Sequence, residues 1–162
     1  MKSADLRQHA LKLLEMSRKF LEEDGDLDPT AFIITADDQL LRPIEFQDEI
    51  AKVESCKKIV DEARQRNALA IITIFLARSA DFAESEFDHE SYFWGDIQHG
   101  STDRSILVTA SGPGIKNWAV ALPFGSTKGK ITFGELEEFR EGLDLGLLPG
   151  WSEQVANDPR AS

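Results

Sequence analysis

Asp88, His89, Asp96 and His99 place carboxylates and imidazoles in one short stretch of the chain. Such groups hold a divalent metal when they converge, and a metal held that way activates water for hydrolysis. Their spacing does not favour it. His89 and His99 stand ten positions apart, and neither an H-E-x-x-H pair nor a two-His-one-carboxylate signature is present. No cofactor is therefore predicted, and a small metal-dependent hydrolase using these four residues is the alternative function. The surrounding stretch offers a different chemistry. Residues 81–103 carry seven acids (Asp81, Glu84, Glu86, Asp88, Glu90, Asp96, Asp103) and no Lys or Arg, interleaved with Phe82, Phe87, Tyr92, Phe93 and Trp94. Acids mixed with rings suit a surface for a basic protein partner, with Glu84, Glu86, Asp88, Tyr92, Phe93 and Trp94 as the residues that meet it. The stretch is also long for a plain connection in a compact domain. It could instead cap a sheet with its rings, or roof a ligand pocket whose occupancy Trp94 fluorescence would report.

Other motifs fall short on inspection. His99-Gly100-Ser101-Thr102-Asp103 is faintly similar to the ligand string of the JAMM metalloprotease family, but that motif needs a His-x-His pair and a longer gap before its Ser. Asp24-Gly25-Asp26-Leu27-Asp28 opens like a calcium loop, yet Pro29 and Thr35 stand where an EF-hand needs Gly and Glu. It reads as a solvated acid cluster at a helix end, where its charge opposes the dipole. Gly125-Ser126-Thr127-Lys128-Gly129-Lys130 is one residue short of a phosphate loop and has Ile131 where Ser or Thr would hold magnesium, so it reads as a hairpin turn. No G-x-S-x-G elbow occurs. Cys56, the single cysteine, sits in a helical pattern with no His near it and reads as a buried structural thiol. His9, between Leu6 and Leu13, reads as a boundary residue.

Charge and length set the outer limits. The 162 residues suffice for one domain, expected over residues 1–151 with a frayed tail at 152–162. A net charge of −11 opposes sequence-independent binding to nucleic acid or to anionic membranes, because phosphates require clustered Lys and Arg. The amino terminus runs charges straight into an amphipathic pattern, and the longest apolar run is shorter than the ~20 residues that span a bilayer. A cytoplasmic protein without a secretory signal is expected.

The elements that would position these groups follow from periodicity. Residues 3–23 place Leu6, Ala10, Leu13, Leu14, Ser17, Phe20 and Leu21 at helical spacing. Strands at 31–36 and 39–46 form a hairpin about Asp37-Asp38, and Pro43 puts the second at an edge. A second helix at 47–66 would bury Ile50, Val53, Cys56 or Lys57, Val60 and Ala63. Residues 68–79, almost unbroken Ile, Leu, Ala and Phe, form a strand buried on both faces, expected at the centre of the sheet. Strands at 105–111, 115–124 and 130–133 continue as a meander through Gly112-Pro113-Gly114 and the 125–129 turn. A short acidic helix or turn is expected at 134–142, and 143–151 is an apolar return that docks on the body.

The segment Ser101-Thr102-Asp103-Arg104-Ser105-Ile106-Leu107-Val108, followed by Asn117-Trp118-Ala119-Val120, resembles a pattern in small bacterial proteins of an uncharacterised family with no assigned function. The resemblance covers the layout of the middle two thirds of the chain. It implies a bacterial origin and carries over no catalytic residue. The elements together predict an α+β two-layer sandwich, a mostly antiparallel sheet of about six strands with the two main helices on one face. The other face would be covered by the 82–94 segment or by a second copy in a homodimer. The leading functional expectation is a non-enzymatic acidic module that binds a basic protein partner through residues 81–103.

Overall fold

The computed structural model describes residues 2–78 and 104–139 together with Leu148 and Trp151. Helix α1 (Ser3–Asp24) leads to the hairpin β1 (Thr30–Ile34) and β2 (Gln39–Pro43), then helix α2 (Glu49–Gln65) and strand β3 (Ala70–Arg78). Strands β4 (Arg104–Gly112), β5 (Ile115–Thr127), β6 (Lys130–Phe133) and β7 (Glu137–Phe139) complete the described chain. They form one seven-stranded sheet in the order β2-β1-β3-β4-β5-β6, with β7 also on β5. Every pairing is antiparallel. β3 sits inside the sheet and is buried on both faces, as its composition requires, and β2 holds an edge, as Pro43 requires. Among the described residues no helix is long and apolar enough to cross a membrane.

Local chemistry fixes the joints. α1 ends at Gly25, whose φ of 75° sets the left-handed cap and whose N–H donates to Leu21 C=O at 2.8 Å. α2 begins at Asp48, whose carboxylate accepts from the Ala51 N–H at 2.7 Å. Lys128 and Gly129, at φ 53° and 78°, make the two-residue turn between β5 and β6, so the hairpin expected at 125–129 turns at its last two residues while 125–127 continue β5.

The α+β class and the antiparallel sheet are as expected, but the layering differs. The helices lie on opposite faces, giving three layers instead of two. Phe32 and Ile34 of β1 pack with Leu6, Ala10, Leu13, Leu14 and Leu21 of α1, whereas Ala31 and Ile33 pack with Cys56, Ile59, Val60 and Ala63 of α2. The reason is side-chain alternation: a strand apolar on both faces needs cover on both. Trp151 and Leu148 join the α2 face, with Trp151 Nε1 donating to Ser111 C=O at 3.1 Å, so these two residues of the expected apolar return at 143–151 dock on the body.

Three further expectations change. Within the described part of the 134–142 segment, where a helix or turn is expected, Glu137–Phe139 form strand β7. Glu138 explains its position, because its carboxylate accepts from Trp118 Nε1 on β5 and Arg7 Nε on α1, both at 2.6 Å. The buried face of α2 is Lys52, Cys56, Ile59, Val60 and Ala63, which leaves Ile50 and Val53 at 73% and 53% exposure. Lys52 takes the inward place by laying its stem along the body while its ammonium meets Glu49 at 2.8 Å. Phe20, expected on the buried stripe of α1, is 53% exposed.

Gly112 marks the tightest packing point: a Cβ there would meet Leu69 C=O at 2.4 Å. Gly112→Ala is expected to lower stability by about 1–3 kcal/mol, as overpacking of a close-packed site does. Urea unfolding checks this, and an unchanged midpoint would contradict the approach.

Candidate functional site

The sequence-expected partner residues Glu84, Glu86, Asp88, Tyr92, Phe93 and Trp94, and the metal candidates Asp88, His89, Asp96 and His99, lie outside the described residues. Among the described residues no group of three or more His, Cys, Asp or Glu side chains could hold a metal ion. Asp24, Asp26 and Asp28 run into strand β1, and Asp26 Oδ1 accepts from the neighbouring Leu27 N–H at 2.8 Å, a local turn contact. Cys56 is buried in the α2 core, and burial pushes its thiol up to about 11, so at neutral pH it is a protonated, inert group. His9 contacts the Gln39 side chain on β2, which ties the start of α1 to the edge hairpin.

What the fold brings together is an apolar groove on the α1 face. α1 runs over β3, β4 and β5. Its Ala10 is fully buried, so this turn of the helix sits close on the sheet. Between its second half and the outer hairpin lies a cavity of about 240 Å³ lined chiefly by Met16, Phe20, Leu27, Phe32, Leu41 and Ile74. Phe32 and Ile74 form a buried floor, while Met16, Phe20 and Leu41 are 58%, 53% and 57% exposed. Three large apolar side chains from two elements therefore stand half in water around one opening. Asp28 stands in the wall. Residues 22–28 contribute five acids and no Lys or Arg. α1 has no basic residue in its last turn, so the negative end of the helix dipole adds to these acids instead of being offset.

The opposite side of α1 is filled. Arg18 stacks on Phe133 at 4.7 Å, Phe133 meets Phe124 at 6.3 Å, and Arg104 stacks on Phe124 at 4.8 Å. The rim that closes one flank of the helix is thus a pair of rings flanked by two cations, and the other flank is the groove. On the far face the outer strand is clamped, since Arg42 of β2 donates through Nε and Nη2 to Glu62 of α2, both at 2.7 Å, and Arg66 adds a third contact at 2.9 Å. The Arg42 hydrogen bond, reinforced by Arg66, holds the Glu62 carboxyl at about 2, below its ordinary 4.5.

Periodicity alone could not find the groove, because Phe20 falls within the apolar stripe of α1 and its exposure depends on how wide the sheet is. One signal was present: Leu41, apolar on an edge strand beside Pro43, projects to a face that a single helix does not reach. Compared with known proteins, the chain matches no family model, no curated protein and no solved structure.

The Glu62 clamp gives a pH dependence with a definite sign. Its native pKa is lowered, so its contribution is complete above about 4.5 and is lost as pH falls toward about 2. Glu62→Gln is expected to lower the Tm at neutral pH, with the gap to wild type closing across that window. A gap that stays constant down to pH 2 would contradict the clamp.

Proposed function

We propose that this protein is a non-enzymatic acidic interaction module that receives a basic partner carrying apolar anchors. The observation that carries the reading is the convergence of Met16, Phe20 and Leu41, each more than half exposed, on one apolar cavity. Isolated exposed apolar residues are ordinary on a soluble surface, but a contiguous set around a concavity marks a contact site. Burying a fully exposed side chain of this size returns about 1.5–3 kcal/mol, and covering the exposed half of each of these returns roughly 1–1.5 kcal/mol, so a few anchors together sustain a complex. Charge selects the partner: the acids at 22–28 and the net charge of −11 attract cations and repel anions. The acidic 81–103 segment, with Glu84, Glu86, Asp88, Tyr92, Phe93 and Trp94, would add to the same attraction.

Binding of a Lys-rich peptide bearing Leu anchors, followed by calorimetry at low and at raised ionic strength, tests this reading. Binding is expected at low salt, weakened by salt and abolished by Phe20→Asp with Leu41→Asp. Because both positions are exposed, each substitution alone should shift stability by only about 0.5 kcal/mol. Absence of binding at low salt, or binding indifferent to both substitutions, would contradict the reading.

A further inference from the structure

We infer that the occupant of the α1–β2 groove is an amphipathic basic helix, docked face-on, and not a strand added to the edge of the sheet. The inference rests on the interaction reading above and deepens it. A free edge strand beside an exposed apolar residue ordinarily invites strand addition, in which the main chain of the partner continues the ladder. Here the ladder is interrupted. Thr35 N–H donates to Asp38 C=O and Ile44 N–H to Pro29 C=O, and these two contacts bracket the β1–β2 pairing. With the register of Ala31 opposite Arg42 and Ile33 opposite Leu40, antiparallel alternation turns the main-chain groups of Leu40 and Arg42 toward β1 and those of Gln39, Leu41 and Pro43 outward. Pro43 has no N–H to give. The Leu41 C=O accepts from Arg42 Nη1 at 2.9 Å, and Arg42 is itself held by Glu62. Of the outward groups, one donor is missing and one acceptor is engaged.

An extended peptide laid in the groove would bring its own unpaired N–H and C=O groups against Met16, Phe20 and Leu41 without partners, which costs free energy for each. A helix satisfies its main chain internally and presents only side chains. The groove suits that geometry. Met16 and Phe20 stand four residues apart on one side of α1, forming a ridge along the helix, and Leu41 faces them across the opening. An apolar cavity of about 150 Å³ accommodates a benzene ring, so 240 Å³ accepts a large apolar side chain from one turn of the partner. The acids at 22–28 meet basic residues on the flanking turns.

Two peptides of identical Lys and Leu content separate the possibilities. One spaces Leu at i, i+3, i+4 and i+7, and the other alternates Leu and Lys strictly. In calorimetry with the full chain the first is expected to bind and to gain helical circular dichroism. Its affinity should fall by about tenfold or more in Leu41→Asp and in Phe20→Asp, two variants that serve as mutual checks on folding. Pro43→Val, which restores an edge donor, should leave its binding unchanged. Preferential binding of the alternating peptide, strengthened by Pro43→Val, would overturn the inference and leave the interaction reading standing. Binding by neither peptide would overturn both.

Discussion

A sheet that is apolar on both faces must be covered on both, and among the described residues one helix lies on each. Neighbouring strands lie about 4.8 Å apart and a helix with its side chains is about 10–12 Å wide, so a single helix covers roughly two strands. A sheet six strands across is wider than that on either side. On the α2 face the shortfall is met by Trp151 and Leu148 over the inner strands. On the α1 face it is met on one flank by the Arg18, Phe133, Phe124 and Arg104 stack, and on the other, among the described residues, by Met16, Phe20 and Leu41 standing half in water. The groove is the part of the face that the single helix leaves over.

Polar contacts hold α1 to that track. Glu138 joins Arg7 to Trp118 on one side of the helix, and His9 meets Gln39 on the other. The edge hairpin is held from the opposite face by Arg42, Glu62 and Arg66. The same Arg42 that anchors β2 engages the outward Leu41 carbonyl, so one side chain both fixes the edge and blunts it against strand pairing. The contact site and the protection of the edge thus share a residue.

The parts legible in the sequence were those set by local chemistry. Residues 68–79 declared a central strand through an almost unbroken apolar run, Pro43 declared an edge, and the 125–129 segment declared a turn, which the structure makes at Lys128 and Gly129. What escaped was set by neighbours. Ile50 and Val53 have the right residue type for the core of α2, but Cys56, Ile59, Val60 and Ala63 turn the helix so that Lys52 faces inward. Residues 134–142 read as a short acidic helix or turn, and what makes Glu137–Phe139 a strand is the place of Glu138 between Arg7 and Trp118. Phe20 has helical spacing with the core residues, and only the width of the sheet decides that it stays outside. The candidate surface was therefore hidden by a stripe whose residue types all suit a buried face.

The chain has two methionines, Met1 and Met16, and Met16 lines the groove. Its 13C-labelled methyl signal, observed in the free protein with a soluble paramagnetic agent, reads directly whether this flank of α1 is open. The account predicts strong broadening, in keeping with a side chain that is 58% exposed. A Met16 methyl as shielded as those of Leu13 and Leu14 would show the flank already filled, and the proposed contact surface would not exist.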